Sequence, residues 1–161
     1  MGAIFEIHLE EWNHALHIRG RGHKSPVLWL QETLILNNIV PVIYVLKDWR
    51  DENPDTPLHG IIKSHGVHHY YDEEAERSPY WNLEGIPGLC GGFFFRLLPL
   101  WIVRKEVQRA GIFYIHPHDL DEGHPKLKDP WLNWKRHVGL KQSRKKLERL
   151  LKEVDWDEPS N

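Results

Sequence analysis

"RLLPLWIVRKEVQRAGIFYIH", residues 96–116, changes character once along its length. Residues 96–110 read as a helix, with Pro99 in its first turn and Gly111 closing it. "IFYI" (112–115) then reads as a short strand, because it is apolar and rich in β-branched and aromatic residues. The strand ends on His116. A helix handing over to a strand in this way is one half of a βαβ repeat, and the same alternation runs through the chain. "AIFEIHL" (3–9) reads as a buried strand. "SPVLWLQETLILNN" (25–38) reads as a helix, with Ser25 as N-cap, Pro26 at the first helical position and Asn37-Asn38 at its end. "IVPVIYVL" (39–46) is the next strand, and Pro41 places it at an edge or places itself early in the strand. "HGIIKSHG" (59–66) holds a short third strand, and residues 72–92 read as loop. "SRKKLERLLKEV" (143–154) is an amphipathic helix with Leu147, Leu150, Leu151 and Val154 on one side. Alternation of this kind predicts an α/β fold with parallel strands.

In such folds chemistry collects at the carboxyl ends of the strands. Three strand ends here read "HLEEW", "SHGVHH" and "IHPHD". All carry histidine, and the first also carries carboxylates.

The chain has 161 residues, a formal charge of −2, twelve histidines, eight tryptophans and one cysteine. One domain, residues 1–156, is predicted, with 157–161 as a flexible tail. Near-neutral charge gives no global case for nucleic-acid or membrane binding. No apolar run is long enough to span a bilayer, and no secretion signal is visible at the start. A cytoplasmic location is therefore expected, and the lone Cys90 fits a reducing compartment without proving it. Clustered tryptophans serve core packing first and sugar stacking second.

His65 and His69 are four apart, a spacing that puts two imidazoles within reach of one metal ion on a helical turn. Twelve histidines in a chain this long give roughly one such pair by chance, so the spacing alone decides nothing. Surface histidines are the simpler account of it. A solvated arginine is the simpler account of Arg77, and a plain turn that of "GLCGG" (88–92). For His116 a core histidine bonded to a backbone carbonyl stands level with a functional one.

The order of the motifs adds information. "FEIHLEEW", "SHGVHH", "RSPYW", "GGFFFRLLPLWIVRK" and "FYIHPHDLD" follow one another as in the polysaccharide deacetylases of the NodB-homology, carbohydrate esterase family 4 type, and the chain resembles most the branch associated with exopolysaccharide and exosortase loci. The resemblance implies a reduced, distorted (β/α) barrel. The tight spacing between His69 and Arg77 implies that one or more strand–helix units are missing. It also implies a metal-dependent removal of N-acetyl groups from an amino-sugar polymer or glycoconjugate. Glu10, His65 and His69 would hold a divalent metal, zinc by its donor set. His116 would be the general acid, and Arg77 would steady the base. Tyr80, Trp81 and Trp12 would line the substrate, with a backbone N–H near Tyr80 in the oxyanion hole. His8 stands where the family has an aspartate as base. It can act as base itself, bind the metal, or mark a degenerate protein that binds metal or sugar without turnover. A histidine-rich interaction protein without a site is a third reading. A shortened barrel leaves edges and faces uncovered, which predicts a homo-oligomer.

Overall fold

The computed structural model of the chain describes residues 2–9, 24–46, 50, 54–65 and 90–159. Four strands are described: β1 (Ile4–Leu9), β2 (Val42–Leu46), β3 (Ile61–His65) and β4 (Ile112–Ile115). All pairings are parallel, in the order β3-β2-β1-β4. The α/β class with parallel strands is therefore as expected. The order suits two architectures. A barrel whose last strand returns beside its first gives it, and so does an open sheet that grows one way from β1 and then the other.

β2 starts directly after Pro41 and runs between β1 and β3, so it is an interior strand and the proline only precedes it. The Pro41 carbonyl still takes part, accepting from the Ile61 N–H at 2.9 Å.

Five helices are described: α1 (Lys24–Leu36), α2 (Gly92–Leu97), α3 (Leu100–Ala110), α4 (Pro130–His137) and α5 (Leu140–Glu153). α1 already includes Lys24, so Ser25 lies inside its first turn rather than before it. It ends at Asn37-Asn38 as expected, with Asn38 in the left-handed region at φ 54°. The single helix expected over 96–110 is two. Proline disfavours helical geometry in the residue before it, and Leu98 is extended at φ −80°, ψ 152°. Pro99 thus caps α3, and Arg96 and Leu97 belong to α2. Gly111 closes α3 with φ 71°.

Alternation along β1 sends Phe5, Ile7 and Leu9 into the core. There they meet Phe113 and Ile115 of β4, Phe95 of α2, Val103 and Val107 of α3, Leu30 and Leu34 of α1, and Leu147, Leu150 and Leu151 of α5. The Phe113 ring centroid stands 5.3 Å from that of Phe5 and 5.3 Å from that of Phe95. Residues 155–157 are tied in rather than frayed. Trp156 bridges Ala3 and packs on Phe5 at 5.4 Å, and the Asp157 N–H donates to the Ala3 carbonyl at 3.0 Å. Residue 157, where a flexible tail was expected to begin, is thus bonded to the start of β1, and 160–161 lie outside the described residues. Trp101, Trp131 and Trp134 are exposed, so these three do not serve the core.

Gly91 stands directly before α2 and bridges Tyr114. A Cβ there would run into the Tyr114 carbonyl oxygen, so its missing side chain lets the chain lie against β4.

Candidate acid–base site at the strand ends

The face of β1 opposite Phe5 and Ile7 carries Glu6 and His8, and it too is buried, at 6% and 5% exposure. In-register neighbours share a face. His8 is level with Tyr44 of β2, Tyr44 with Lys63 of β3, and Glu6 with Tyr114 of β4. This face is therefore built of ionisable and phenolic groups. The His8 ring lies 5.1 Å from that of Tyr44 and 5.7 Å from that of Tyr114. His8 Nε2 stands 3.4 Å from Glu6 Oε2, and the Tyr44 hydroxyl donates to Glu6 Oε1 at 3.5 Å. Burial pushes the Glu6 carboxyl up to about 7, with Lys63 and the Tyr44 bond pulling the other way.

β4 delivers His116 to the same end of the sheet. Its ring centroid lies 5.3 Å from that of His8. Beyond it a 3₁₀ turn, Pro117–Leu120, bends Asp119 back. Asp119 Oδ2 accepts the His116 backbone N–H at 3.2 Å and stands 3.6 Å from His116 Nδ1. Its Oδ1 accepts from Arg96 Nε at 3.0 Å in a buried ion pair. Arg96 also donates to the Arg136 and Val138 carbonyls, both at 2.8 Å, so one guanidinium joins α2, the turn and the end of α4. Gly139 allows this. Its φ is 73°, and a Cβ there would collide with the Arg96 carbonyl. Burial alone would raise the Asp119 carboxyl. The His118 ring, the bond from His116 and the Arg96 guanidinium outweigh it and hold the group well below the usual range. His118 is itself kept neutral by burial, so the guanidinium and the His116 bond are the lasting causes.

The His118 ring stacks on His116 at 4.7 Å with 16° between planes. Its Nδ1 is sealed from solvent with no hydrogen-bond partner among the described residues. His116, His118 and Asp119 together offer three potential metal-ligand atoms within 4.8 Å of one another. His124 follows, its Nε2–H donating to the His118 carbonyl at 2.8 Å. Burial lowers its basicity as well.

Residues 81–161 match the family described as Domain of unknown function (DUF3473). The chain belongs to that family. Neither curated proteins nor solved structures give a match. The DUF3473 span contains Arg96, His116, His118 and Asp119, whereas Glu6 and His8 come from before it. The two histidines meet only because β4 pairs with β1. In an open sheet of this order β1 and β4 flank the point where the order reverses, where ligand crevices form.

Of the residues expected from the sequence, His8 and His116 are brought together. His65 closes β3 at the same end of the sheet, two strands from β1. Glu10, Trp12, His69, Arg77, Tyr80 and Trp81 lie outside the described residues, as does most of the loop expected over 72–92. Glu6, Arg96, His118 and Asp119 were not anticipated. Glu6 had a signal, since alternation puts it on the His8 face. His116 is not a histidine satisfied only by a carbonyl, because its neighbour is the Asp119 carboxylate.

Proposed function

We propose that the chain is a metal-dependent hydrolase that removes N-acetyl groups from an amino-sugar polysaccharide or glycoconjugate. One observation carries this reading. Two buried histidines lie 5.3 Å apart at the ends of adjacent parallel strands, each with a carboxyl group behind it. Amide hydrolysis needs one group to take a proton from water and another to give one to the leaving nitrogen. The motif order points to acetyl-amide chemistry on sugars, and DUF3473 is associated with polysaccharide deacetylase-like proteins.

His116 is the acid. Asp119 orients its ring and favours the protonated form, while Arg96 keeps Asp119 ionised and fixed. His8 is the base. With Nε2–H directed to Glu6, its basic lone pair lies on Nδ1. Glu10, His65 and His69 would hold the metal, since two imidazoles and a carboxylate are an ordinary zinc donor set. When bound, the ion supplies Lewis-acid polarisation and a more acidic water. The backbone N–H near Tyr80 would receive the oxyanion, Arg77 would steady the base, and Tyr80, Trp12 and Trp81 would line the substrate.

Released acetate from N-acetylglucosamine oligomers tests the reading. His116→Ala and His8→Ala should each lower the rate by about 10²–10⁴-fold. Both should leave the zinc held through Glu10, His65 and His69 in place, whereas His69→Ala should lose it. Zinc-loaded wild type and His8→Asp both silent on these oligomers would sink the proposal.

A further inference from the structure

We propose that His116, His118 and Asp119 form a second divalent-cation site, suited to zinc and separate from the one assigned to Glu10, His65 and His69. The donor set is two imidazoles and a carboxylate, all within 4.8 Å. His116 Nδ1 and Asp119 Oδ2 stand 3.6 Å apart. That is long for a hydrogen bond, and it is close to the roughly 3.4 Å edge of a tetrahedron around zinc with bonds of about 2.0–2.1 Å. The His118 side chain also carries an orphan atom. His118 Nδ1 is sealed away with no hydrogen-bond partner among the described residues. Buried polar atoms in native proteins are nearly always satisfied, and an ion would satisfy this one.

The surroundings fix the ligands as second shells do. Arg96 grips Asp119 through Oδ1, so Oδ2 is the oxygen turned to the histidines. His124 holds the His118 carbonyl, and Pro117 stiffens the turn. The guanidinium also repels a cation, which makes this the weaker of the two sites.

A consequence follows that rests on the deacetylase reading. An ion on His116 Nδ1 keeps the ring from becoming imidazolium, so the Nε2–H that remains is too weak an acid to protonate the leaving nitrogen. Zinc at the first site would then support hydrolysis, and zinc at the second would stop it.

Titration calorimetry of the metal-free full chain with zinc separates these points. Wild type should bind two ions in two steps. His69→Ala should lose the tighter step. His118→Phe, which keeps a stacked ring and lacks a donor, should lose only the weaker. Cobalt should give visible d–d absorption for the weaker step in wild type and not in His118→Phe. Circular dichroism confirms that the variant is folded. An unchanged weaker step in folded His118→Phe, or a single step that His69→Ala removes, overturns the site. If excess zinc inhibits acetate release by wild type and not by His118→Phe, the consequence holds as well. If the second ion binds and the rate is unaffected, the site stands and the role given to His116 fails.

Discussion

Asp119 and Glu6 each stand behind a histidine at the end of a parallel strand, and both are buried, yet they answer burial in opposite ways. Asp119 has a guanidinium at 3.0 Å and stays ionised well below the usual carboxylate range. Glu6 faces Lys63 and the Tyr44 hydroxyl, and these do not offset its loss of water, so its carboxyl rises to about 7. A buried carboxylate remains a fixed charge only where a counter-charge is delivered at hydrogen-bonding distance. The acid histidine therefore has a constant neighbour. The base histidine has one whose charge changes near neutrality.

Breaking the clamp should have the largest effect. Arg96→Met strands the Asp119 carboxylate and removes the donor to two carbonyls at the end of α4. Urea unfolding should show a loss of about 3–5 kcal/mol. Asp119→Asn should be similarly harmful alone and at least about 1 kcal/mol less harmful in the Arg96→Met background, since the two act as a unit. Additive losses would mean the pair is not coupled. The folded Asp119 value lies below the unfolded one, so its contribution is full above about pH 4 and fades only as pH falls toward the folded value.

Glu6→Gln should have the opposite sign. The folded Glu6 value, about 7, lies above the ordinary 4.5, so its contribution is full below 4.5 and is lost as pH rises through 7. At 1.36 kcal/mol per unit, ionisation above pH 8 costs about 3 kcal/mol. Glu6→Gln should thus raise the melting temperature at pH 8 and leave it near that of wild type at pH 4. A variant less stable than wild type at pH 8 would contradict this.

The smallest effects sharpen the causes. Lys63→Met and then Tyr44→Phe remove, in decreasing order, the two influences that lower Glu6. Each should move the carboxyl midpoint in a carbon-13 titration further up, the lysine variant more. A downward move in either would show that burial is not what dominates.

The strands were legible because they are apolar and rich in β-branched and aromatic residues, and the last helix because its leucines lie on one side. Boundaries that hang on one residue are less legible: Pro99 fits the first turn of one long helix and instead begins a second. α4 was overlooked although Asp129-Pro130 bears both start signals, and Asp129 does accept the Leu132 N–H at 2.8 Å. His8 and His116 were legible because strand ends mark chemistry in α/β folds. Their carboxyl partners were harder to find. Glu6 looked like strand filling, and the Arg96–Asp119 pair joins two elements 23 residues apart, which no local pattern records.

Sheet order also governs when the two histidines can meet. β1 finds β2 across 36 residues, as in Glu6 with Val42, but finds β4 across 108, as in Ile4 with Ile112. Closing the longer loop costs about 1 kcal/mol more in chain entropy. Pairings of such long range weigh most on folding speed. Emerging from a ribosome, the β1–β2–β3 half can order while the partner of β1 on its other edge is not yet made. The acid–base pair then forms only after that half, once β4 docks on β1, and mutations in the β4 docking contacts should slow this step more than those between β2 and β3.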